Sequence, residues 1–314
     1  MNDGAFIEFL VIAIGAGTPL VWASVGEILT ERSGILNLGV EGMMLVGAVT
    51  AYWVAVTTGT LMLGVLAGAL AGAALAGIHG VLSIGLRANQ IVSGIALVIL
   101  GSGLSTYLGS GGDDPLSSRA LDAPFGQLLP DALADLPLVG PVFFGHDLLV
   151  YGSWAFTAAA ALYLSRTRAG LEARAVGEDP AAADAAGITV NRVRYVHTLL
   201  GGAAAGVAGS YLTLALFGSW QDNLSAGTGW IAIAIVIFSA WRPLRALLAA
   251  YLFGALTSFG FNLQLLDVPL PLSVLAALPY VITLAALIVL SNTRASRRLS
   301  APAALARPYW RESR

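Results

Sequence analysis

The sequence contains no cysteine, and all sixteen of its basic residues are arginine, so it also contains no lysine. Without cysteine the chain has no disulfide, no thiolate nucleophile and no cysteine-ligated metal. Without lysine it has neither a P-loop lysine nor a Schiff-base lysine, which excludes an ATPase on this chain. The three histidines, His79, His146 and His197, are scattered and predict no metal cluster.

Charge of either sign is also scarce. Only 11% of the 314 residues are charged, whereas 57% are hydrophobic, and the mean hydropathy is +0.80. Soluble domains contain about 25% charged residues, so this composition excludes a water-soluble enzyme. It predicts an all-α membrane protein that crosses the bilayer many times.

Long apolar runs predict about nine transmembrane helices, within a range of eight to ten. A helix needs roughly 20 apolar residues to span a hydrocarbon core of about 30 Å. The last three runs include one of only thirteen residues, which reaches about 20 Å and is interpreted as a half-helix. The first run has no positively charged leader and is interpreted as a retained helix, not a signal peptide. The predicted segments are 5–28, 36–57, 60–86, 90–109, 147–165, 193–217, 228–240, 243–263 and 271–291.

The arginines predict the orientation. If the N-terminus lies outside, every arginine except Arg119 falls on one side, which the positive-inside rule makes cytoplasmic. The C-terminus is then inside. This topology predicts a transmembrane domain over 1–291, with an extracytoplasmic loop at 110–146 and a cytoplasmic loop at 166–192. The basic tail, 292–314, is expected to lie disordered on the anionic inner leaflet.

The first stretch with functional potential runs from Gly26 to Met44. Asn37 and Glu41 are four residues apart, so we expect them to share a helical face just inside the bilayer. A carboxylate buried there indicates a functional site, as a lining or gating group of a solute path. The alternative is that Glu41 caps exposed backbone amides of an interrupted helix.

Other residues of these helices have a packing interpretation. Glu27 and Glu31 are expected nearer the membrane interface, where they would pair with Arg32. Small residues that recur every fourth position predict close contact between helix backbones. These are Gly64, Gly68, Gly72, Ala76 and Gly80 on the third segment and Gly202 with Gly206 on the sixth.

A second stretch, residues 177–188, predicts a short helix in the cytoplasmic loop. Asp179 can cap its N-terminus, Pro180 suits its first position, and Gly187 can end it. Two turns of helix are marginal in water, so this helix needs a docking surface. That surface belongs either to its own bundle or to a partner.

A third stretch, Asn89–Gly94, begins the fourth segment. Gln90 and Ser93 share a helical face and could donate or accept hydrogen bonds with a hydroxylated or heterocyclic solute. Hydrogen bonding between neighbouring helices is the alternative.

Two interruptions are predicted in the apolar helices, one at the half-helix 228–240 and one near residues 34–42, where glycines crowd around Asn37 and Glu41. Paired interruptions of this kind often mark a transport path, so a transporter is the favoured class.

These stretches resemble a known family. The motifs at 26–44, 89–94, 177–188 and 227–243 are similar to those of the permease subunits of bacterial ABC importers for nucleosides. Those subunits belong to the wider branched-chain amino acid and ribose-type permease family. The resemblance covers 15–291.

The resemblance implies an ABC importer permease fold in the bacterial cytoplasmic membrane, in contact with lipid and not with nucleic acid. It implies no enzyme activity and no cofactor on this chain, because ATP and Mg²⁺ bind a cytosolic ATPase subunit with two nucleotide-binding halves. A second, related permease and an extracytoplasmic substrate-binding lipoprotein complete the implied assembly. The implied translocation-path residues are Asn37, Glu41, Gln90 and Ser93. The implied ATPase-coupling residues are Gly177, Glu178, Asp179, Pro180, Ala182, Ala183, Asp184 and Gly187.

The resemblance implies inward transport of nucleosides, or of a related sugar-bearing solute, by alternating access. The rival interpretation is an ion-coupled secondary transporter in which Glu41 is the titrating group. A membrane enzyme is disfavoured, because the sequence has no clustered acid, base or metal-ligating set.

Overall fold

The computed structural model describes residues 3–111, 115–137, 139–265, 281 and 301–310. All regular structure within these ranges is helical, and π-helical turns extend α3 to Gly85 and α10 to Leu216. The helices are α1 Asp3–Arg32, α2 Val40–Thr58, α3 Leu61–Gly80, α4 Gln90–Ser110, α5 Asp131–Ala134, α6 Val139–Phe144, α7 Leu148–Arg166, α8 Arg168–Glu178, α9 Pro180–Ala185, α10 Val190–Tyr211, α11 Thr228–Phe238 and α12 Pro243–Leu265.

The all-α polytopic fold is confirmed. Among the described residues, six helices are long and apolar enough to cross a membrane, and α11 and α12 match the seventh and eighth predicted segments. The ninth segment, 271–291, lies outside the described residues apart from residue 281. The six spans are Phe6–Arg32, Val40–Thr58, Leu61–Gly85, Gln90–Ser110, Leu148–Arg166 and Val190–Leu216.

Helices α1, α2, α3 and α10 form the centre of the bundle, with α10 packed against the other three. Their backbones approach closely at the spaced glycines. A Cβ atom added to Gly72 would lie 2.2 Å from the carbonyl oxygen of Gly202, and one added to Gly47 would lie 2.6 Å from the Gly206 Cα. The predicted packing role of the small residues is therefore confirmed at these positions.

The first interruption is the α1–α2 connection, which we define as residues 33–39. The interruption predicted near residues 34–42 is present, although the helix that was predicted from residue 36 begins only at Val40. Gly34 has a φ of +90°, a left-handed conformation suited to glycine. The backbone N–H of Asn37 donates to the Glu27 carboxylate and not to a helical carbonyl. Asn37 and Glu41 consequently do not share a helical face.

The second interruption is the segment 217–227, which precedes α11. Trp220 packs against Gly109 near the end of α4, and Thr106 donates a hydrogen bond of 2.6 Å to Asp222. The segment then reaches the first turn of α2. Gly42 in that turn packs against Leu97, which lies about 10 Å along α4 from its first residue.

Helix α11 therefore begins inside the bundle. Its eleven residues rise by roughly 16 Å, too little to span a bilayer. The predicted half-helix is confirmed.

The described part of the tail, residues 301–310, differs from expectation. It packs on the end of the bundle that carries α8 and α9, instead of lying disordered. Ala304 donates its backbone N–H to the carbonyl of Gly177, and Ala306 donates to that of Gly34. Carbonyls at helix ends lack partners within their own helix, and the tail supplies donors for them.

Candidate functional site

The α1–α2 connection is fixed to α1 by Asn37. The two oxygens of the Glu27 carboxylate accept hydrogen bonds from the Asn37 backbone N–H at 3.1 Å and from its side-chain Nδ2 at 3.2 Å. The Asn37 side-chain oxygen accepts from the N–H of Gly39 at 3.0 Å. Both side chains are buried. The expected pairing of Glu27 with Arg32 is therefore wrong, since the Glu27 carboxylate binds the interrupted backbone at Asn37.

Two further helices hold the same connection at Leu36. Gln90, at the start of α4, accepts a hydrogen bond of 2.7 Å from the Leu36 N–H. The ring of His79, on α3, lies 3.0 Å from the Leu36 carbonyl oxygen and 3.0 Å from the Ser93 hydroxyl. Gln90 and Ser93 thus make the contacts between elements that the alternative interpretation expected. Their contact with a transported solute stays a prediction.

Glu41 contacts the N-terminus of α11. One carboxylate oxygen accepts from the Ser225 hydroxyl at 2.5 Å and the Gly227 N–H at 2.8 Å, and the other accepts from the Gly229 N–H at 2.6 Å. The first N–H groups of a helix have no partner within the helix, and its N-terminus favours negative charge.

The burial of Glu41, 4% exposed, is thereby compensated. Glu41 caps backbone amides, as the alternative proposed, although the capped helix is α11 and not its own. Close approach requires glycine at position 229, because a Cβ there would lie 2.7 Å from the Glu41 backbone. A lining or gating role for Glu41 stays a prediction.

The other end of α11 is attached to α1 through Trp241. Its indole N–H donates to the Glu31 carboxylate, and its carbonyl accepts from Nε and Nη2 of Arg32 at 3.2 and 3.1 Å. Ala240 and Trp241 have φ values of +53° and +54°, which turn the chain sharply between α11 and α12. The expected pairing of Glu31 with Arg32 is wrong, since both side chains bind Trp241.

Helix α9 has the local structure that the sequence predicts. The Asp179 side chain accepts from the N–H groups of Ala181 and Ala182, each at 3.0 Å, and Pro180 occupies the first turn. Gly187 follows with a φ of +85°, and Ile188 donates back to the Ala183 carbonyl at 3.0 Å. This pattern is typical of a glycine-terminated helix.

Only part of the predicted coupling set faces outward. Ala183 is 4% exposed and packs with Val176 and Val190, so α9 rests on α8 and on the start of α10. Gly177 is also buried, and a Cβ there would lie 2.2 Å from the carbonyl oxygen of Arg32. Docking on its own bundle is thus observed, and docking on a partner stays a prediction. Pro180 and Asp184 are half-buried, and the exposed members are Glu178, Asp179, Ala182 and Gly187.

Sequence reasoning did not predict that His79, Ser225 and Trp241 bind the interrupted helices. His79 was considered only as a metal ligand, although a histidine on an otherwise apolar, glycine-rich helix itself signals a buried polar partner. Ser225 and Trp241 flank the half-helix, where free helix ends need hydrogen-bonding partners. Their partners lie far away along the chain and have no local signature.

The bundle consists of long apolar helices and contains a half-helix that begins inside it. A capped helix lies on its arginine-rich end. This arrangement is typical of a membrane transport protein of the permease type. The family described as "Branched-chain amino acid transport system / permease component" matches residues 9–291, and the chain belongs to that family. It is a multi-pass protein of the cytoplasmic membrane, and its family is one of transport subunits.

Three relatives are similar over most of their length. A putative glucose ABC transporter permease protein of Haloferax volcanii is 39% identical over 95% of this chain and 96% of its own. A nucleoside ABC transporter permease protein of Lactococcus lactis is 35% identical, with 85% and 87% covered. A guanosine ABC transporter permease protein of Bacillus subtilis is 32% identical, with 98% and 99% covered. No solved structure matches the chain.

Proposed function

We propose that this chain is the membrane-spanning permease subunit of an ABC importer that takes up nucleosides or a related sugar-bearing solute. The observation that carries the proposal is α9, a helix capped by Asp179 that exposes one face and seats Ala183 in its own bundle. A cytosolic partner that binds such a helix can displace it, and its contacts transmit the displacement to the transmembrane helices.

The solute class is supported by the relatives. Two of them are named for nucleosides or guanosine, and one is named for glucose. Both kinds of solute carry several hydroxyl groups on a sugar ring, and such groups require hydrogen-bonding partners along a dry path. A nucleoside is the proposed solute, with a simple sugar as the alternative.

The mechanism is alternating access driven by differential contacts of α9 in two states of the complex. Gly177, just before α9, packs against the end of α1, and Arg32 at that end binds Trp241. Trp241 follows α11, whose opposite end is held by Glu41 of α2. Displacement of α9 would therefore reach α1, α2 and α11 and, through the hydrogen bond from Leu36 to Gln90, the start of α4.

The proposed partners follow from this role. ATP and Mg²⁺ would bind a cytosolic ATPase subunit with two nucleotide-binding halves, and α9 would insert into its surface. A second, related permease would complete the path, and an extracytoplasmic lipoprotein would deliver the solute. Ion-coupled transport through Glu41 is the rival, and the donors that surround Glu41 give that residue a structural task instead.

The solute class is tested by uptake of labelled guanosine into cells that produce the complete transporter. We expect unlabelled nucleosides to compete for uptake and glucose not to compete. Competition by glucose alone would contradict the nucleoside assignment and favour the sugar alternative.

A further inference from the structure

Residues 301–310, which we name the tail strap, bind the end of α8 through their backbone. Ala304 donates its N–H to the Gly177 carbonyl at 2.9 Å, and Ala303 donates to the Glu178 carboxylate at 3.2 Å. The Ala304 methyl group is itself buried. The strap thus covers the residues that lead directly into α9.

The same segment also binds the α1–α2 connection and α10. Ala306 donates its N–H to the Gly34 carbonyl at 3.2 Å. Arg194 of α10, only 1% exposed, donates from Nη1 to the Arg307 carbonyl at 3.3 Å. Because Ala304 and Ala306 are two residues apart, a short piece of backbone bridges the end of α8 and the α1–α2 connection.

Side chains at the end of the strap add two further contacts. Tyr309 packs against the apolar cluster of Val176, Ala183 and Val190, which also seats α9. The Arg87 guanidinium lies 5.7 Å from the centre of the Trp310 ring, within the range of a cation–π contact. The strap therefore spans the underside of the bundle from α9 to the turn between α3 and α4.

We propose that the tail strap is a positioning element of the coupling apparatus. It ties α8 and α9 to the α1–α2 connection, so that a displacement of α9 is delivered to α1 instead of being lost in a flexible joint. The proposal rests on the proposed function, because it assigns a task to the strap within ATP-driven transport. It gives residues 301–310 a role that attraction to lipid does not require.

The contacts favour this role over adhesion to an anionic membrane. Arg307 is exposed, and the strap uses its carbonyl oxygen and not its guanidinium. The contacts to Gly177 and Gly34 join backbone N–H groups to backbone carbonyls, which no lipid headgroup replaces in register. The effect of the strap should therefore not depend on lipid charge.

The experiment uses the complete transporter in proteoliposomes and measures solute taken up per ATP hydrolysed. Ala304→Pro removes the N–H that binds Gly177. A second variant replaces 301–310 by a glycine–serine linker of equal length, which removes the Tyr309 and Trp310 side chains that anchor the strap. Ala304→Ser keeps the N–H, and Arg307→Ala keeps the carbonyl that Arg194 binds. We expect the first two variants to lower uptake per ATP by about fivefold or more, the smaller end of a typical coupling effect, and the two controls to match the wild type.

Amounts of inserted permease and of co-purified ATPase should stay unchanged in all variants. Wild-type coupling in both Ala304→Pro and the linker variant would overturn the proposal. It would also be overturned if Ala304→Pro released the ATPase, since the strap would then be part of the docking face, or if the loss appeared only with anionic lipids. Failure of the wild-type complex to couple ATP to uptake would instead contradict the proposed function.

Discussion

At the scale of single residues, Glu41 joins α2 to the start of the half-helix α11. Its carboxylate accepts from one hydroxyl and two backbone N–H groups at the start of α11. A buried donor that loses its acceptor costs about 1–3 kcal/mol, and the half-helix has no other cap at this end among the described residues.

Glu41→Ala should therefore lower the melting temperature of the detergent-purified permease, whereas Glu41→Gln, which keeps one carbonyl acceptor, should be intermediate. The control is Glu8→Ala, which removes an exposed carboxylate from α1. The measurement is thermal unfolding of the three variants beside the wild type. Equal melting temperatures for Glu41→Ala and Glu8→Ala would show that the cap does not stabilise the protein.

Contacts between residues close together in the sequence could be predicted, whereas contacts between distant residues could not. The Asp179 cap could be predicted, because donor and acceptor lie within three residues. The capping of α11 by Glu41 joins residues more than 180 positions apart, and no spacing rule connects them. Sequence reasoning could identify Glu41 as a buried carboxylate that needs partners, but not which N–H groups satisfy it.

At the scale of elements, α9 offers the sharpest test. A helix of six residues has few internal hydrogen bonds, so its N-cap contributes a large share of its stability. Asp179→Ala should destabilise the helix by about 0.5–2 kcal/mol, while asparagine is an equally good cap.

We therefore expect Asp179→Ala to lower the amount of ATPase that co-purifies with the permease and Asp179→Asn to restore it. Neither change should alter the amount of permease in the membrane, because the Asp179 side chain is exposed. Loss of the ATPase in both variants would indicate that the negative charge, and not the capped helix, is recognised.

Helix interruptions could be predicted from a short apolar run and from clustered glycines, but the residue at which a helix resumes could not. The half-helix α11 was predicted because its apolar run is too short to span the bilayer. The α1–α2 connection was predicted as an interruption near residues 34–42, but the helix after it was placed from residue 36 instead of from Val40. Its unwinding depends on Glu27, His79 and Gln90, which reach it from three helices.

At the scale of the whole molecule, the arrangement of the arginines predicts which end faces the cytosol. The chain has no native cysteine, so a single engineered cysteine reports on one site. Ala182→Cys should react with a membrane-impermeant reagent only from the cytosolic side, and Ser117→Cys only from outside, since both positions are exposed. Ala183→Cys is a matched control that should react slowly from either side, because Ala183 is buried.

Labelling of Ala182→Cys from outside intact cells would reverse the topology and remove α9 from the reach of any ATPase. The same result would place the tail strap, which binds beside α9, on the outer surface.

The central claim is that a separate cytosolic subunit, which hydrolyses ATP and binds α9, drives the conformational change of the bundle. The most direct measurement compares labelled nucleoside uptake into proteoliposomes that contain this chain alone with uptake by the complete transporter supplied with ATP and its binding protein. Uptake only by the complete transporter, and only while ATP is hydrolysed, is the predicted result. Uptake by this chain alone, driven by a proton or sodium gradient and abolished by Glu41→Gln, would contradict it.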